Sequence, residues 1–243
     1  MKYEIEAVAH IKTPYKQKFG TPRQPGLIEE AWGEIIFEKK YANRDALRGL
    51  DQVSHLWLIF LFNQNPNTNW SPLVRPPRLG GKEKIGLWST RSPFRPNPLG
   101  LSVVKLEGVI DHDKTLAIRV SGVDLVDGTP IFDIKPYISY ADKINNSYSW
   151  AQQEPNSKYS VIVSSSCEKS FSQLTTQEQQ LIIRTLKLDP RPPMHDALAK
   201  SKGDEWKERQ YHMKIMDWDI RWRLINASDE SCCFEIFSIK DPV

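Results

Sequence analysis

Apolar and polar residues alternate along several short stretches of the first 140 residues, a pattern that indicates β-strands. The run Ser54–Phe62 (SHLWLIFLF) is instead almost continuously apolar, which is typical of a strand covered on both faces. Short strands separated by Asp- and Gly-containing turns, with little helix between them, predict an antiparallel β-barrel or sandwich that ends near Tyr140. The other strands are predicted at Tyr3–Lys12, Gly33–Glu38, Leu101–Ile110, Thr115–Val123 and Ile131–Ile138.

The pattern changes after this point. Residues 141–158 are polar and are predicted to be a linker. Thr175–Leu188 is predicted to be a helix, because Thr175 and Glu178 form a capping box at its start and Pro190 follows its end. Strands are predicted at Tyr159–Ser165 and in a long hairpin formed by Tyr211–Leu224 and Cys232–Ile239. We therefore expect a mostly β first domain (residues 1–140) and a small α+β second domain (residues 159–243).

Composition is ordinary for a globular protein, with 40% hydrophobic and 26% charged residues among 243 and a net charge of +3. No apolar run approaches the ~20 residues that a membrane helix needs, and the N-terminus lacks the apolar stretch of a signal peptide. We expect a cytoplasmic protein without a membrane segment. Cys167, Cys232 and Cys233 have no ligand partners at suitable spacing, so we expect neither disulfides nor a metal site.

Positive charge is concentrated in one stretch. Between residues 75 and 105 there is one acid, Glu83, and a net charge of +6. Trp70, Trp88 and Phe94 lie in or beside this window and supply flat surfaces for stacking. Clustered cations with aromatic residues indicate an anionic partner such as a nucleic acid. The basic residues are Arg75, Arg78, Lys82, Lys84, Arg91, Arg95 and Lys105.

Two proline-rich loops are candidate site elements. The first spans residues 14–26, and the second, RSPFRPNP at residues 91–98, carries two arginines between prolines. Proline restricts both its own backbone and that of the preceding residue, so these loops are stiff before any ligand binds. Guanidinium groups on a stiff loop suit planar contacts with a carboxylate or a phosphate. The chain contains no glycine-rich Rossmann or P-loop motif and no GxSxG or HExxH motif.

Four segments resemble the TrmO/TsaA-like family of tRNA methyltransferases, in the order in which that family carries them. The family's small β-barrel binds S-adenosylmethionine without a Rossmann core, and its members form homodimers with the active site near the interface. The resemblance implies methylation of the exocyclic amine (N6) of threonylcarbamoyl-adenosine, next to the anticodon of threonine tRNA. The C-terminal DPRP and DWDIRWRL segments also resemble the family, and a contribution of this second domain to tRNA binding is expected. The four segments are PRQPG (22–26), SHLWLIFLF (54–62), GLWSTRSPFRPNPLGLS (86–102) and DLVDGTPIFDIKPY (124–137).

The resemblance also implies the contacts with S-adenosylmethionine. At Asn63 the chain departs from some relatives, which carry His at that position, and the change matters only if the contact there is made through the side chain. The implied residues are Gln24, Pro25, Gly26, Phe62, Asn63, Arg91, Leu101, Ser121, Gly122, Val123 and Asp124.

Methyl transfer to a weakly nucleophilic ureido nitrogen needs alignment, and a nearby base or hydrogen-bond acceptor helps. Asp124, Asp127 and His55 are the candidates for that role. The substrate also carries a threonyl carboxylate, for which we hypothesise a bidentate contact with Arg95, assisted by Arg91 or Arg78.

Two other interpretations remain open from the sequence. The same fold could serve a non-catalytic module that binds S-adenosylmethionine or RNA. It could also serve a methyltransferase that acts on another substrate, such as a protein or a metabolite.

Overall fold

The computed structural model describes residues 1–65, 70–79, 83–112, 115–151, 159–191, 209–227 and 232–240. Lys82 of the basic window, residues 152–158 of the predicted linker and residues 228–231 of the predicted hairpin lie outside the described residues. The chain divides into two compact units. Unit 1 contains Met1–Pro14, Arg23–Pro72 and Arg91–Tyr148, and unit 2 contains Tyr15–Pro22, Leu73–Thr90 and Ser149–Val243. Two segments from the first 140 residues therefore group with the C-terminal half, unlike in the predicted division.

Unit 1 is built on six antiparallel strands that form a closed sheet in the order β1–β2–β7–β6–β3–β8, with β8 paired back to β1. A short helix, α1 (Ser139–Asp142), follows β8. The mostly β character predicted from the sequence is confirmed. The strands are β1 (Ala9–Lys12), β2 (Trp32–Phe37), β3 (His55–Leu61), β6 (Leu99–His112), β7 (Thr115–Ser121) and β8 (Thr129–Pro136).

The core of unit 1 follows from the alternation of side chains along each strand. Inward positions of neighbouring strands face one another, as in the register pair Ile35 and Ile118. The first strand begins only at Ala9, so the predicted strand Tyr3–Lys12 is too long at its start. The buried core residues include Ala9, Ile11, Ile35, Leu56, Leu58, Phe60, Val104, Ile118, Val120 and Ile131.

Strand β3 is buried on one face only, which corrects the expectation that both of its faces are covered. Its burial alternates strictly, and the outward side chains are half-buried. Their apolar neighbours across the sheet lie on β6, where Leu101 is opposite Ile59 and is 54% exposed. A continuously apolar strand sequence does not show whether its second face is buried by the same chain or by a partner protein. We call this outward surface the apolar strip: Trp57, Ile59 and Leu61 of β3 with Leu99, Leu101 and Val103 of β6.

Gly100 occupies a position on β6 where no side chain fits. It pairs in register with Phe60, whose ring lies across its Cα. A Cβ at Gly100 would lie 2.2 Å from Cζ of Phe60. The glycine therefore allows the Phe60 ring to lie against the backbone at the start of β6.

The antiparallel order of the closed sheet collects several loops at one end, which we call the loop end. Strands β1, β3 and β7 finish there and β2, β6 and β8 begin there. The unit 1 loops at this end are 23–31 before β2, 91–98 before β6 and 122–128 between β7 and β8. These loops contain most of the predicted site residues.

Unit 2 contains a four-stranded sheet in the order β10–β11–β12–β9, with β9 parallel to β12. The long strand predicted at Tyr211–Leu224 is two strands, because the chain turns at Met216, whose φ of +54° interrupts the extended backbone. The predicted helix and its capping box at Thr175 and Glu178 are confirmed. The elements are β9 (Tyr159–Val163), β10 (Gln210–Ile215), β11 (Trp218–Ala227), β12 (Cys232–Lys240), α2 (Glu168–Ser172) and α3 (Thr176–Lys187).

The N-terminal segments of unit 2 are attached to it by specific contacts. Tyr15 is buried and forms an isolated β-bridge with Ile215. The segment from residue 73 to residue 90 contains a two-stranded sheet, β4 (Leu73–Val74) and β5 (Ile85–Gly86). The backbone carbonyl of Ser89 in this segment accepts a hydrogen bond from the indole N–H of Trp150 at 2.8 Å.

None of the helices in the described ranges is long and apolar enough to cross a membrane. The same ranges contain no group of three or more His, Cys, Asp or Glu side chains suited to a metal ion.

Candidate functional site

Gln24 and Arg91, from the two proline-rich loops, meet at the loop end of unit 1. Nη1 of Arg91 donates a hydrogen bond to Oε1 of Gln24 at 2.5 Å. The amide nitrogen of Gln24 lies 2.5 Å from the backbone carbonyl of Arg23, which orients the Gln24 carbonyl. Gln24, in the first of the four family segments, thus fixes Arg91, in the third.

Gly26 and Gly122 bring a third segment to the same place. The backbone N–H of Gly26 donates to the carbonyl of Gly122 at 2.9 Å. Both residues have positive φ values, +76° and +75°, and a Cβ at Gly122 would lie 3.4 Å from the Gly26 backbone. Left-handed backbone favours glycine at both positions. Val123 then donates its N–H to the carbonyl of Ala31 at 3.1 Å, which secures the segment after β7 against the start of β2.

Asp124 extends this cluster towards the start of β6. Ser121 lies opposite Lys105 in the sheet, and the chain beyond it runs along β6 towards Ser102. The hydroxyl of Ser102 donates a hydrogen bond to Oδ1 of Asp124 at 2.7 Å. Burial raises the pKa of the Asp124 carboxyl to about 6, although the Ser102 hydrogen bond, its own backbone N–H and the Arg91 charge lower it. A carboxyl with this pKa is mostly ionised at neutral pH and titrates just below it.

The remaining implied contact residues lie at the same end, with different side-chain directions. Phe62 donates its backbone N–H to the carbonyl of Pro98 at 2.8 Å, which joins the end of β3 to the start of β6. Asn63 follows directly and donates its N–H to Leu61. Leu101 points outwards into the apolar strip, because its neighbour Ser102 points inwards and is buried. Pro25 is half-buried between Gln24 and Gly26.

The hydroxyl of Ser121 is hydrogen-bonded to Glu107 and not to a residue of the cluster around Asp124. It donates to Oε1 of Glu107 at 2.6 Å, and Nζ of Lys105 lies 3.0 Å from the same oxygen. These contacts hold the pKa of Glu107 below its ordinary value, with the Ser121 hydrogen bond as the largest cause.

Asp127 and His55 differ from Asp124 in their surroundings. Oδ1 of Asp127 accepts the backbone N–H of Thr13 at 2.8 Å, so this carboxylate fixes the chain where it leaves β1. His55 lies at the first position of β3, at the end of the strand remote from the loop end. Its Nδ1 is 3.0 Å from the hydroxyl of Ser54, and its ring packs edge-on to Tyr137. The structure does not bring His55 together with the cluster around Asp124.

The predicted substrate residues are divided between the units. Arg95 lies in the loop before β6, where its backbone N–H donates to Pro93 at 3.0 Å, and its neighbour Phe94 is 50% exposed. Arg78 belongs to unit 2, and its guanidinium donates to the backbone carbonyl of Ala151.

Ser102 is the residue of this cluster that the sequence analysis did not single out. A signal for it is nevertheless present in the sequence. Ser102 is a polar residue in the apolar run after Gly100, and it occupies an inward-facing position of the strand, between the inward-facing Gly100 and Val104.

Comparisons with known proteins place these features in a family. The model of the tRNA-methyltransferase O N-terminal domain matches residues 10–143, and that of the TrmO C-terminal domain matches residues 156–240. The chain is 40% identical over 242 residues to the tRNA (adenine(37)-N6)-methyltransferase of Escherichia coli, covering 98% of each protein. It is 35% identical over 203 residues to the human protein of the same name, of which it covers 44%.

Solved structures agree with this relationship. The crystal structure of TrmO from Pseudomonas aeruginosa matches with a TM-score of 0.73 and 28% identity, over 99% of this chain and 100% of that one. A P. aeruginosa protein that is provisionally named an S-adenosylmethionine-dependent methyltransferase is 35% identical over 226 residues, which cover 91% of this chain and 93% of the relative. Both domain models match in order, and the similarity extends over nearly the whole chain: the protein belongs to the tRNA-methyltransferase O (TrmO) family.

Proposed function

We propose that this protein is an S-adenosylmethionine-dependent tRNA methyltransferase that methylates N6 of adenosine 37. We further propose that its substrate is threonyl-carbamoylated adenosine in threonine tRNA. One observation carries the proposal: in a chain of this family, Gln24, Arg91, Gly122 and Asp124 come together at one end of the closed sheet. In this proposal the closed sheet is the family's cofactor-binding barrel, and residues 159–243 form a second domain that contributes to tRNA binding.

The residues of the cluster fit the chemistry of S-adenosylmethionine. That molecule carries an α-carboxylate, an α-ammonium and a positively charged sulfur. Arg91 offers a guanidinium to a carboxylate, and Asp124 offers a carboxyl group to a positive charge. The left-handed glycine Gly26 has open space where a side chain would be, so the backbone there is accessible to a ligand. These residues, with Gln24 and the backbone at Phe62 and Asn63, would hold the cofactor.

When bound, S-adenosylmethionine would supply a methyl group on a positive sulfur, and its transfer to the substrate nitrogen would break the carbon–sulfur bond and leave a neutral thioether. The protein's contribution is alignment of the substrate nitrogen and exclusion of water. The proton on that nitrogen needs an acceptor. Asp124 combines a place in the cluster with a pKa close to neutral, so we assign it to this role as well as to cofactor contact. Asp127 and His55 are not assigned catalytic roles.

The loop before β6 suits recognition of the modified nucleoside. Its prolines fix the backbone, and Phe94 presents a half-exposed ring next to Arg95. Aromatic side chains stack on unpaired bases in RNA recognition, and a guanidinium binds a carboxylate in a planar, bidentate manner. We assign the base to Phe94 and the threonyl carboxylate to Arg95, with Arg91 shared with the cofactor and Arg78 contributing to tRNA contacts from unit 2.

The apolar strip supports a homodimer. Three register pairs, Trp57–Val103, Ile59–Leu101 and Leu61–Leu99, place six apolar side chains side by side on the outer face of the sheet. Leu99 and Leu101 are exposed and the other four are partly exposed, and contiguous apolar surface of this kind is typical of an interaction site. Since Leu61 and Leu99 of the strip lie at the loop end, next to Phe62 and Pro98, a dimer through this surface would place the interface beside the cofactor site. An enzyme that modifies tRNA in this way is expected in the cytoplasm.

Methyl incorporation tests the proposal. Purified protein is incubated with S-adenosylmethionine labelled in its methyl group and with threonine tRNA that carries or lacks the threonylcarbamoyl group. Label is expected in the modified tRNA only. No incorporation into either tRNA, despite cofactor binding, would favour a non-catalytic module, and equal incorporation would contradict the assigned substrate.

A further inference from the structure

Ser102 is a buried polar residue in an apolar part of the closed sheet. Its residue exposure is 1%, and its cross-strand partner Leu58 and its neighbour Val104 are equally buried. A buried hydroxyl without a partner is costly, so its hydrogen bond must be satisfied locally. The Ser102 hydroxyl donates this hydrogen bond to Oδ1 of Asp124, 22 residues further along the chain. The contact holds the Asp124 side chain, and the nearest buried side chains of the sheet, Leu58 and Val104, are both apolar.

The Asp124 carboxyl has opposing influences acting on it. Burial favours its neutral form, whereas the Ser102 hydroxyl and the charge of Arg91 favour its ionised form. Other charged groups of the surrounding elements have their own partners: Asp127 accepts the N–H of Thr13, and Glu107 is bound by Ser121. Arg91 is itself held by Gln24. Beside the backbone N–H of Asp124 itself, Ser102 is therefore the neutral side chain that favours the charged carboxylate.

We propose that Ser102 is a positioning residue that keeps the Asp124 carboxylate ionised and fixed in orientation for the positive charge of the methyl donor. The inference rests on the proposed function, because it takes the donor to be S-adenosylmethionine. It extends that function by naming the residue that sets the pH range of donor binding. Ser102 acts through Asp124.

The sign of the pH dependence follows directly. The ionised carboxylate binds a cation and its protonated form does not, so affinity for S-adenosylmethionine falls as the pH decreases through the pKa of Asp124. Ser102→Ala removes a hydrogen bond that favours ionisation, so the fall in affinity moves to higher pH. A hydrogen bond to a charged group is commonly equivalent to about one pKa unit or slightly more. We expect a midpoint shift of about one unit and roughly five-fold weaker binding at the wild-type midpoint, a difference that approaches ten-fold at lower pH.

The experiment is calorimetric titration of the full-length protein with S-adenosylmethionine between pH 5 and pH 9. Ser102→Ala is expected to move the midpoint upwards and to recover wild-type affinity at the alkaline end. Ser102→Thr keeps the hydroxyl and is expected to retain the wild-type midpoint. Asp124→Asn is expected to bind weakly with a flat profile. Thr185→Ala is the control, since it removes another buried hydroxyl, one that donates to the Leu181 carbonyl in α3 of unit 2, and should leave the profile unchanged.

Ser102→Cys, which retains a weak donor of similar size, gives a second test if Ser102→Ala does not fold, and a smaller upward shift is expected. An unchanged midpoint in a folded Ala or Cys variant would overturn the inference, and so would a wild-type profile in Asp124→Asn. Failure of the proposed function is distinguishable, because wild-type protein would then bind no S-adenosylmethionine at any pH or would bind it without methylating tRNA.

Discussion

The guanidinium of Arg91 and the side-chain carbonyl of Gln24 are hydrogen-bonded at 2.5 Å, although the two residues are 67 positions apart in the chain. Each lies in a proline-rich loop, and each loop is stiff in its own right. The hydrogen bond joins the two loops, and Gly26 ties the first of them to Gly122 after β7. The proposed cofactor site is therefore held together by contacts between loops, while the closed sheet sets where each loop begins.

Coupling between Gln24 and Arg91 is testable with a double-mutant cycle. Gln24→Ala and Arg91→Ala are each expected to weaken S-adenosylmethionine binding, since each removes a proposed contact and releases the other loop. The double variant should lose less than the sum of the two losses, because residues in direct contact are not energetically independent. Calorimetry on the four proteins measures this coupling.

Arg44→Ala is the matched control for that cycle. Arg44 is an exposed arginine of unit 1 that pairs with Asp111 near the other end of β6. Its loss should leave cofactor affinity within error of the wild type. Strictly additive losses for Gln24 and Arg91 would contradict the coupling.

Asp124 is expected to reduce the stability of the native state at neutral and alkaline pH. Its pKa is raised from 3.8 to about 6 in the folded protein, so the native state binds more protons than the unfolded state between these values. The contribution of Asp124 to the free energy of unfolding is then fully present at low pH and is lost as the pH rises through about 6. Asp124→Asn removes this charge and should raise the free energy of unfolding at pH 8 by only about 1–2 kcal/mol, because the partly exposed carboxylate keeps some of its hydration.

Thermal unfolding at pH 8 and pH 4 checks this prediction. The advantage of Asp124→Asn should be present at pH 8 and should be nearly absent at pH 4, where the wild-type carboxyl is largely neutral. A variant that is less stable than the wild type at pH 8 would show that the ionised carboxylate stabilises the fold.

Gly100→Ala is expected to destabilise unit 1. The added Cβ would lie 2.2 Å from Cζ of Phe60, a ring held within the closed sheet, so either the ring or β6 must shift. Overpacking of this kind costs about 1–3 kcal/mol. Urea unfolding should show a lower midpoint.

The matched control for Gly100 is Gly86→Ala in unit 2. Gly86 has a φ of −59° and a Cβ there would meet nothing nearer than the Ser89 hydroxyl at 3.9 Å. The change should have little effect on stability. Equal effects of the two substitutions would argue against the close contact between Phe60 and Gly100.

Ile59→Arg tests the apolar strip. If the apolar strip forms the dimer interface, a charged side chain at its centre should prevent association, because an unpaired charge would be buried there. Light scattering after gel filtration is expected to give a dimeric mass for the wild type and a monomeric mass for the variant. Val109→Arg, at an exposed valine of β6 that lies outside the strip, should remain dimeric. A monomeric wild type would contradict the proposed homodimer.

Arg95→Ala tests recognition of the threonyl carboxylate. The wild type is expected to prefer tRNA that carries the threonylcarbamoyl group, and the variant should lose most of that preference in kcat/KM while its affinity for S-adenosylmethionine stays unchanged. Loss of one bidentate contact corresponds to roughly a ten- to hundred-fold decrease. A variant with unchanged rate and preference would remove Arg95 from this role.

Much of the fold could be predicted from local signals. Alternation in Thr115–Val123 and the turn residues on either side predict β7 to within two residues, and the capping box predicts where α3 begins. These features depend on residues close in sequence, which a single chain displays directly. The turn at Met216 was missed because a non-glycine residue with positive φ gives little signal in the sequence.

The candidate site residues were inferred through family segments, and the contacts between them were not predicted. Gln24 and Arg91 carry no sequence signal of their mutual hydrogen bond, because it depends on how two distant loops leave the sheet. Ser102 was overlooked since a single serine in a strand is usually unremarkable, and only the position of Asp124 gives it a role. The grouping of Tyr15–Pro22 and Leu73–Thr90 with unit 2 likewise depends on long-range contacts.

The central claim is tested most directly by mass analysis of tRNA nucleosides from a strain that lacks this gene. The account predicts loss of the N6-methylated threonylcarbamoyl nucleoside, with accumulation of its unmethylated form, and recovery when the wild-type gene is returned. The Arg91→Ala gene, expressed at the same level, should restore little of it. Persistence of the methylated nucleoside in the deletion strain, with no second source of the activity, would contradict the account.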